Sequence, residues 1–305
     1  MPLHRVKLIV NPNADLGRAW IAARDFRPIV EEFGGADWAG TVYPTHAVEL
    51  ARQAGEQGYE LVIAAGGDGT AHEVLNGLMQ VPKERRPSLG VVPLGSGNDF
   101  AHAIGMVSSP LPALRQIFTG KQKWIDIVRL EDNLGRLEYW GNTLGIGFDA
   151  TVTIRSRNFR QFHGFLIYLV AVVQTILLNH DALRMQVDTD REHWEQEMLL
   201  LVLCNGGREG GGFRVHPQAK PDDGVLNYTG IQRVSRPMMF RLLPEVMRGT
   251  HGRFRQVKMG EFLHMNVESD RPMYIHIDGE IFAGFGVDIR RLSINLLPQE
   301  MQVVG

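Results

Sequence analysis

Cysteine is almost absent from this 305-residue sequence, in which Cys204 is the only one. A single cysteine excludes a disulfide within the chain, and no Cys/His cluster has the spacing of zinc ligands. The eleven histidines show no metal-ligand spacing either, so surface or capping roles are expected for them. The shortage of cysteine fits a reducing compartment, and we expect a cytoplasmic protein.

Neither sign of charge is in excess. Lys and Arg number 32 against 34 Asp and Glu, which gives a formal net charge of −2. A strongly basic nucleic-acid-binding protein is therefore excluded, and no nucleic-acid partner is expected. Charged residues are 22% and apolar residues 44% of the chain, which is the balance of a folded protein rather than a disordered one. At roughly 100–200 residues per domain, the length predicts two domains.

Long hydrophobic runs are missing as well. The most apolar stretch, 165–178, is interrupted by Gln174 and Thr175, and it is shorter than the roughly twenty residues of a membrane-spanning helix. The start of the chain lacks the apolar core of a secretory signal. The sequence therefore predicts no transmembrane segment and a core helix over this stretch, with a helix that touches the membrane as the alternative.

Glycine, by contrast, is plentiful, with 34 residues, or about 11% of the chain against roughly 7% on average. Surplus glycine either loosens a chain or marks places where the backbone approaches something closely. The glycines cluster at 66–69, 95–97, 141–147 and 206–212. We interpret the surplus as backbone left bare around a binding site.

Two patterns of secondary structure meet near the polar stretch 119–123. Before it, short apolar runs alternate with helical periodicity, which predicts a parallel sheet with helices on both faces. After it, mostly consecutive strands predict an antiparallel sandwich or barrel. We therefore predict domains at 1–121 and 122–305, with the last strand able to return to the first domain.

The predicted elements that bear on the site are strands at 6–10, 40–43, 61–65, 89–93, 256–268 and 272–278, and helices at 16–33, 70–79, 149–160 and 163–179.

The run Gly66-Gly67-Asp68-Gly69-Thr70 follows a buried strand and opens a helix. A helix N-terminus offers unpaired N–H groups and partial positive charge, which suit a phosphate, and glycine lets that phosphate approach the backbone. Thr70 can cap the helix, and Asp68 can hold magnesium directly or through water. An ordinary βα turn is the alternative. The run is neither a Walker loop nor the dinucleotide fingerprint.

A second strand-to-helix junction carries Pro93-Leu94-Gly95-Ser96-Gly97-Asn98-Asp99-Phe100-Ala101. Ser96 offers a hydroxyl, and the loop N–H groups could also contact phosphate. Asn98 or Asp99 could cap the following helix. The segment lacks the Gly-x-Ser-x-Gly spacing of a serine-hydrolase elbow.

Together, Gly66–Leu78 and Pro93–Ala101 resemble the catalytic domain of the diacylglycerol kinase family, which includes soluble bacterial lipid kinases and the sphingosine and ceramide kinases. Ser96 stands where many bacterial members have Thr. The resemblance implies a Rossmann-like α/β nucleotide-binding domain, a C-terminal antiparallel β-sandwich that binds lipid, and an active site in the cleft between them. It also implies ATP as phosphate donor. The ATP-binding residues that it implies are Asn11, Thr45, Gly66, Gly67, Asp68, Gly69, Thr70, Ser96 and Asn98.

The first loop departs from the family pattern, because Asn11-Pro12 is followed by Asn13-Ala14-Asp15-Leu16-Gly17 rather than Ser/Ala-Ser-Gly. The phosphate contact of this loop is therefore left open, although Asn11 itself is expected near the nucleotide.

The resemblance also implies Mg²⁺. In His216–Leu226, the Asp223 carboxylate and the backbone carbonyls of Lys220 and Val225 would bind a structural ion. Asp126 would join the same acidic network, and Asp68 and Asp99 complete the predicted metal ligands. Oxygen-only ligation suits this hard cation. Without the resemblance, Asp223-Gly224 is only a hairpin signal and Asp126 a strand residue.

The segment Ile275–Glu280 resembles the family's Asp-Gly-Glu motif, in which the Glu is the proposed general base. The resemblance thus implies that Glu280 accepts the proton of the lipid hydroxyl, as phosphoryl transfer requires mainly positioning and charge neutralisation. The glycine clusters at 141–150 and 205–212 resemble segments of the family's second domain, and we expect the second to lie where a lipid enters.

The predicted function is transfer of the ATP γ-phosphate to a lipid hydroxyl, with diacylglycerol or a related glycerolipid as acceptor. The enzyme is expected to associate transiently with the membrane surface, where its substrate lies. The alternatives are a sphingosine or ceramide kinase, an NAD kinase, which shares the Gly-Gly-Asp-Gly core, and a non-catalytic nucleotide-binding regulator. The choice of lipid stays open, as does a homodimer.

Overall fold

The computed structural model describes residues 5–17, 19–159, 164–179 and 181–305. The start of the chain and the predicted helix ends at residues 160 and 163 lie outside these ranges. The described residues form two compact units. The first unit contains the chain up to Ile127 together with Gln299–Gly305, and the second contains Val128–Pro298.

The first unit is a parallel sheet with strand order β4–β3–β1–β2, and the last residues of the chain pair beside β4 at Val303 and Leu89. All residues of β3 are buried, as expected of a strand covered on both faces. In such a sheet, ligands bind at the carboxyl ends of the strands. Its elements are β1 (Val6–Val10), α1 (Ala19–Glu32), β2 (Asp37–Gly40), α2 (His46–Glu56), β3 (Leu61–Gly66), α3 (Asp68–Met79), β4 (Ser88–Pro93), α4 (Asp99–Ala103) and α5 (Pro110–Thr119).

Two boundaries in this unit differ from the sequence prediction. The strand β2 covers 37–40 rather than 40–43, because the residues that follow turn into α2. The helix α3 begins at Asp68 rather than Thr70, with Gly67 as its N-cap in extended conformation. Asp68 therefore lies in the first helical turn, where a carboxylate is favoured by the helix dipole.

The second unit is antiparallel, with strand order β14–β13–β7–β9–β8–β12–β15. The strand β10 pairs with β9 and β11, and β5 pairs with β6. The chain enters this unit within β5 and leaves it within β15. Its elements are β5 (Gln122–Asp132), β6 (Leu137–Trp140), β7 (Thr143–Gly147), α6 (Phe148–Ser156), α7 (Phe165–Leu178), β8 (Leu183–Thr189), β9 (His193–Cys204), β10 (Leu226–Gln232), α8 (Arg236–Arg248), β11 (Val257–Phe262), β12 (His264–Ser269), β13 (Ile275–Ile277), β14 (Glu280–Ala283) and β15 (Arg291–Val304).

The core of the second unit is built from the inward faces of these strands, with Trp140, Tyr228 and Phe262 among its largest buried side chains. Buried and exposed residues alternate along β8, which is the pattern of an antiparallel strand with one face on the core. The predicted combination of a parallel α/β half and an antiparallel β half is confirmed.

The helix α7 is only partly a core helix. Ala171, Thr175 and Ile176 are buried, whereas Leu177 and Leu178 are 55% and 61% exposed. None of the described helices is both long enough and apolar enough to cross a membrane. The prediction of a core helix therefore holds for the buried face of α7 and not for its exposed end.

Candidate active site

The two glycine loops of the first unit pack against each other. The strands β3 and β4 are neighbours, and the Leu94 N–H donates to the Gly66 carbonyl at 2.8 Å. A Cβ added to Gly95 would lie 2.5 Å from the Cα of Gly67, which is too close for any side chain. Glycine is therefore required where the loops meet.

Asp68 fastens the two loops together. Its Oδ1 accepts a hydrogen bond from the Phe100 N–H at 3.1 Å, at the start of α4. The carboxylate thus lies at the junction of both predicted phosphate loops. Its neighbour in the second loop, Asp99, is buried as the first residue of α4.

Asn98 closes the second loop through its own side chain. Its Oδ1 accepts the Gly95 N–H at 2.8 Å, and its Nδ2 donates to the Gly95 carbonyl at 2.7 Å. The backbone of Asn98 is left-handed, with φ 52°. Asn98 therefore shapes the loop, and Ser96 lies exposed within it.

Asn11 joins this cluster from the end of β1. Its Nδ2 donates to Thr70 Oγ1 at 3.0 Å, and Thr70 is buried. A Cβ on Gly66 would overlap the Thr70 hydroxyl, so this glycine is also required. The proposed capping role of Thr70 was wrong, because Gly67 is the N-cap of α3.

Thr45 is held near α3 by a residue whose role the sequence analysis missed. The Glu73 carboxylate accepts the Thr45 N–H at 3.0 Å and the Ala47 N–H at 3.2 Å. It therefore satisfies the free N–H groups at the start of α2. Thr45 itself is left-handed, with φ 69°. Glu73 lies within Gly66–Leu78, the run that resembles the kinase family. That position was the one indication in the sequence that Glu73 has a role.

The remaining predicted metal ligands belong to other segments of the chain. Asp126 is fully buried, and its Oδ1 accepts the Gln299 N–H at 2.8 Å, which fixes the returning chain. Asp223 is exposed, and its Oδ1 accepts the Val225 N–H at 3.3 Å in the turn before β10. Lys220 is exposed in the same loop.

The turn that carries Glu280 is anchored by Asp278. The buried Asp278 carboxylate accepts the N–H groups of Gly141, Asn142 and Thr143 at 2.9–3.1 Å. Asp278 has a φ of 48°, and Gly279 after it is also left-handed. Asp278 is thus more than a hairpin residue, because it holds the 141–143 loop.

Glu280, the predicted base, begins β14 and is exposed. Its Oε2 lies 2.6 Å from Nη2 of Arg157, the C-cap residue of α6. Both side chains are about half exposed, so the pair adds at most about 1 kcal/mol to stability. The pair also links the Glu280 carboxylate to the end of α6.

A charged triad lies inside the second unit. Nε2 of the fully buried His276 lies 2.8 Å from Asp149 Oδ2 and 2.7 Å from Glu209 Oε1. Burial alone lowers the pKa of His276, but the Glu209 and Asp149 carboxylates outweigh burial and hold that pKa well above its usual value. The two carboxylates therefore favour the protonated form of the His276 ring. Sequence reasoning had placed histidines in surface or capping roles, which is wrong here.

Within the described part of the chain, this triad is also the one group of His, Cys, Asp and Glu side chains placed as metal ligands could be, within 4.8 Å of one another. The separations of 2.7 and 2.8 Å are those of charge-assisted hydrogen bonds. We therefore interpret the triad as an ion cluster.

An apolar cavity of about 100 Å³ lies beside the triad, which contributes Asp149 and Glu209 to its wall. The remaining wall comes from α6, α7, α8, the strands β9 and β10, the loop at 210–215 and Val234. Its apolar lining includes Phe148, Val152, Tyr168, Val172, Ile176, Leu199, Phe213, Ile231, Met239 and Leu242. The second unit thus combines a hydrophobic cavity with a charged end.

Comparisons with known proteins match two family models to successive parts of the chain. The family model described as the diacylglycerol kinase catalytic domain matches residues 5–130, and that of the YegS C-terminal NAD kinase beta sandwich-like domain matches 142–305. A Chromohalobacter salexigens protein named "Probable lipid kinase YegS-like" is 33% identical over 240 residues, 76% of this chain and 73% of the relative. A Bacillus subtilis diacylglycerol kinase is 26% identical over 308 residues, 98% of each chain.

Among solved structures, a diacylglycerol kinase from Bacillus anthracis superposes with a TM-score of 0.73 at 20% identity. The match covers 100% of this chain and 97% of the other. At this identity, the superposition shows the fold.

Proposed function

The chain belongs to the diacylglycerol kinase catalytic-domain family, and from this membership we propose that it is an ATP-dependent lipid kinase. It transfers the γ-phosphate of ATP to a lipid hydroxyl, and it is a phosphotransferase with an alcohol group as acceptor. Diacylglycerol or a related glycerolipid is the proposed acceptor, which the names of the relatives support. A sphingosine- or ceramide-type lipid is the second candidate.

The observation that carries this proposal is the apolar cavity in the unit that also holds Glu280. The apolar walls of this cavity, which has a volume of about 100 Å³, suit part of a lipid chain. NAD carries a charged diphosphate between polar riboses, so this mostly apolar lining favours a lipid over NAD. The family model that matches residues 142–305 mentions NAD kinase in its description, and these words refer to the β-sandwich fold.

The nucleotide is assigned to the first unit. The N-terminus of α3 offers N–H groups to the phosphates, and Gly66, Gly67 and Gly69 are the glycines of the loop proposed to bind them. The exposed Ser96 hydroxyl is a further donor, while Asn11, Thr45 and Asn98 shape the surrounding loops.

Magnesium is proposed to accompany ATP. Asp68 and Asp99 would hold it in the first unit, and Asp223 with the carbonyls of Lys220 and Val225 would hold a structural ion in the second. Asp126 stays a predicted member of the acidic network around that structural ion. All these donors are oxygens, which fits Mg²⁺. When bound, the ion neutralises phosphate charge.

Glu280 is proposed to accept the proton of the lipid hydroxyl. The hydroxyl oxygen then bonds to the γ-phosphorus, the bond from that phosphorus to the β–γ bridging oxygen breaks, and ADP leaves. Arg157 orients the Glu280 carboxylate for this role. Because Leu177 and Leu178 are exposed on a helix that also lines the cavity, we propose transient association of the second unit with the membrane surface.

The test is phosphate transfer from γ-labelled ATP by the purified protein, with diacylglycerol, phosphatidylglycerol, sphingosine, ceramide and NAD as separate acceptors. We expect label in diacylglycerol. Label in NAD alone overturns the lipid assignment, and ATP binding without transfer to any acceptor supports a regulator.

A further inference from the structure

The hairpin that carries Glu280 is bridged to α6 at two points. Asp149 lies in the first turn of α6 and contacts His276 on β13 at 2.8 Å. Arg157 caps the other end of α6 and contacts Glu280 at the start of β14 at 2.6 Å. One helix therefore holds both strands of the β13–β14 hairpin, and the buried bridge is the one to His276.

The backbone around His276 is built to admit its ring. His276 pairs in register with Gly145 of β7. A Cβ on Gly145 would overlap both Asp149 Oδ2 and His276 Nε2. The glycine thus makes room for the contact between the ring and the carboxylate, and a larger residue here would separate them.

Glu209 adds a third segment to this junction. It lies in the glycine-rich 206–212 loop and reaches the same Nε2 atom at 2.7 Å. Removing the imidazolium would leave two carboxylates facing each other in a largely buried space, which is strongly unfavourable. They would move apart or share a proton, and in either case the tie from α6 and the 206–212 loop to β13 is lost.

We propose that His276 is the positioning residue for Glu280: it ties β13 to α6 and to the 206–212 loop, and so sets the Glu280 carboxylate against the acceptor hydroxyl. The proposal rests on the role of Glu280 in the proposed function. Because Asp149 and Glu209 also line the apolar cavity, an acceptor chain in the cavity touches the same groups that hold the hairpin.

The test compares His276→Gln with His193→Gln. His193 is an exposed histidine of the same unit beside a carboxylate, 3.9 Å from Asp188, and serves as the matched control. Amide hydrogen exchange is followed in segments 148–157 and 274–283, with 61–80 of the first unit as an internal reference. Turnover and the KM for ATP are measured on the same samples.

In His276→Gln, we expect faster exchange in both segments and an unchanged reference. Since a misplacement of about 1 Å can cost about 10²-fold in rate, kcat should fall 10- to 100-fold while the KM for ATP changes less than about twofold. His193→Gln should match the wild type. Wild-type exchange in the hairpin overturns the proposal, as does faster exchange with unchanged kcat, or a parallel change in kcat and the KM for ATP.

If His276→Gln does not fold, Asp149→Asn replaces it, since this variant keeps the shape and the Glu209 contact. It should show the same changes to a smaller extent, and wild-type behaviour in both readouts would overturn the proposal. A wild-type protein that phosphorylates no lipid disproves the proposed function instead. The exchange measurement then still decides whether His276 fixes the hairpin.

Discussion

Gly95 approaches Gly67 so closely that a Cβ on Gly95 would lie 2.5 Å from the Cα of Gly67. Two loops that follow neighbouring strands are thereby joined without side chains between them. The bare backbone is the physical reason for part of the glycine surplus.

Replacing Gly95 by alanine should therefore push the two loops apart. We expect a loss of about 1–3 kcal/mol in unfolding free energy from the overpacking and at least a tenfold loss of ATP affinity, measured by denaturation and calorimetric titration. Gly40→Ala in the same unit is the control, because an added Cβ there meets nothing within 4 Å. ATP affinity in Gly95→Ala equal to that of the control would show that the loops do not bind the nucleotide.

Two substitutions of Asp68 can separate its hydrogen bond to the second loop from its proposed role as a magnesium ligand. Asp68→Asn keeps an oxygen that can accept the Phe100 N–H but removes the charge, whereas Asp68→Ala removes both. The Asn variant should keep near-normal stability and lose at least tenfold in magnesium-dependent ATP affinity. The Ala variant should also lose about 1–3 kcal/mol of stability. Normal magnesium-dependent binding by Asp68→Asn would exclude Asp68 as a ligand.

Filling the apolar cavity should affect the acceptor alone. Val172 lines the cavity from α7, so Val172→Trp should raise the KM for the lipid at least tenfold with ATP affinity unchanged. Val42→Trp, at an exposed position in the first unit, is the control. The cavity has no part in acceptor binding if the two variants have the same KM for the lipid.

The buried histidines predict opposite effects of pH on stability. Burial lowers the pKa of His216 and His251 in the folded protein. Their contribution to the free energy of unfolding is therefore complete above the unfolded pKa of about 6.5 and is lost as the pH falls below that value towards the folded pKa. The neighbouring carboxylates raise the pKa of His276 even though burial alone would lower it. The contribution of His276 to the free energy of unfolding is therefore complete below about pH 6.5 and is lost as the pH rises through the folded pKa.

Unfolding free energies measured from pH 5 to 9 test both signs. The difference between wild type and His276→Gln should shrink towards alkaline pH, and that between wild type and His251→Gln should shrink towards acid pH. Differences that stay constant with pH would contradict these pKa directions.

How far the sequence predicts the site depends on how local each part is. The two glycine loops were predictable, because a buried strand, glycines and a helix start follow one another within a few residues at 61–70 and 89–100. The triad was not, since Asp149, Glu209 and His276 come from three distant segments and share no short motif. Only strand pairing brings them together.

Helix caps and the exact ends of helices and strands were the other features that could not be predicted from the sequence. Thr70 was expected to cap α3, yet backbone geometry gives that place to Gly67 and leaves the Thr70 hydroxyl to Asn11. The predicted strand 256–268 is in fact β11 and β12, which separate at Leu263. Such details follow from backbone dihedral angles that residue patterns do not specify.

The central claim is that a lipid hydroxyl attacks ATP while Glu280 accepts its proton, and the rate of γ-phosphate transfer to diacylglycerol by Glu280→Gln tests it most directly. Glu261→Gln is the control, because Glu261 is equally exposed and is also paired with an arginine at 2.6 Å. Because general base catalysis contributes about 10²–10⁴-fold, we predict a loss of at least about 10²-fold in Glu280→Gln, with ATP affinity and the control unchanged. Transfer at the wild-type rate by Glu280→Gln would contradict the account.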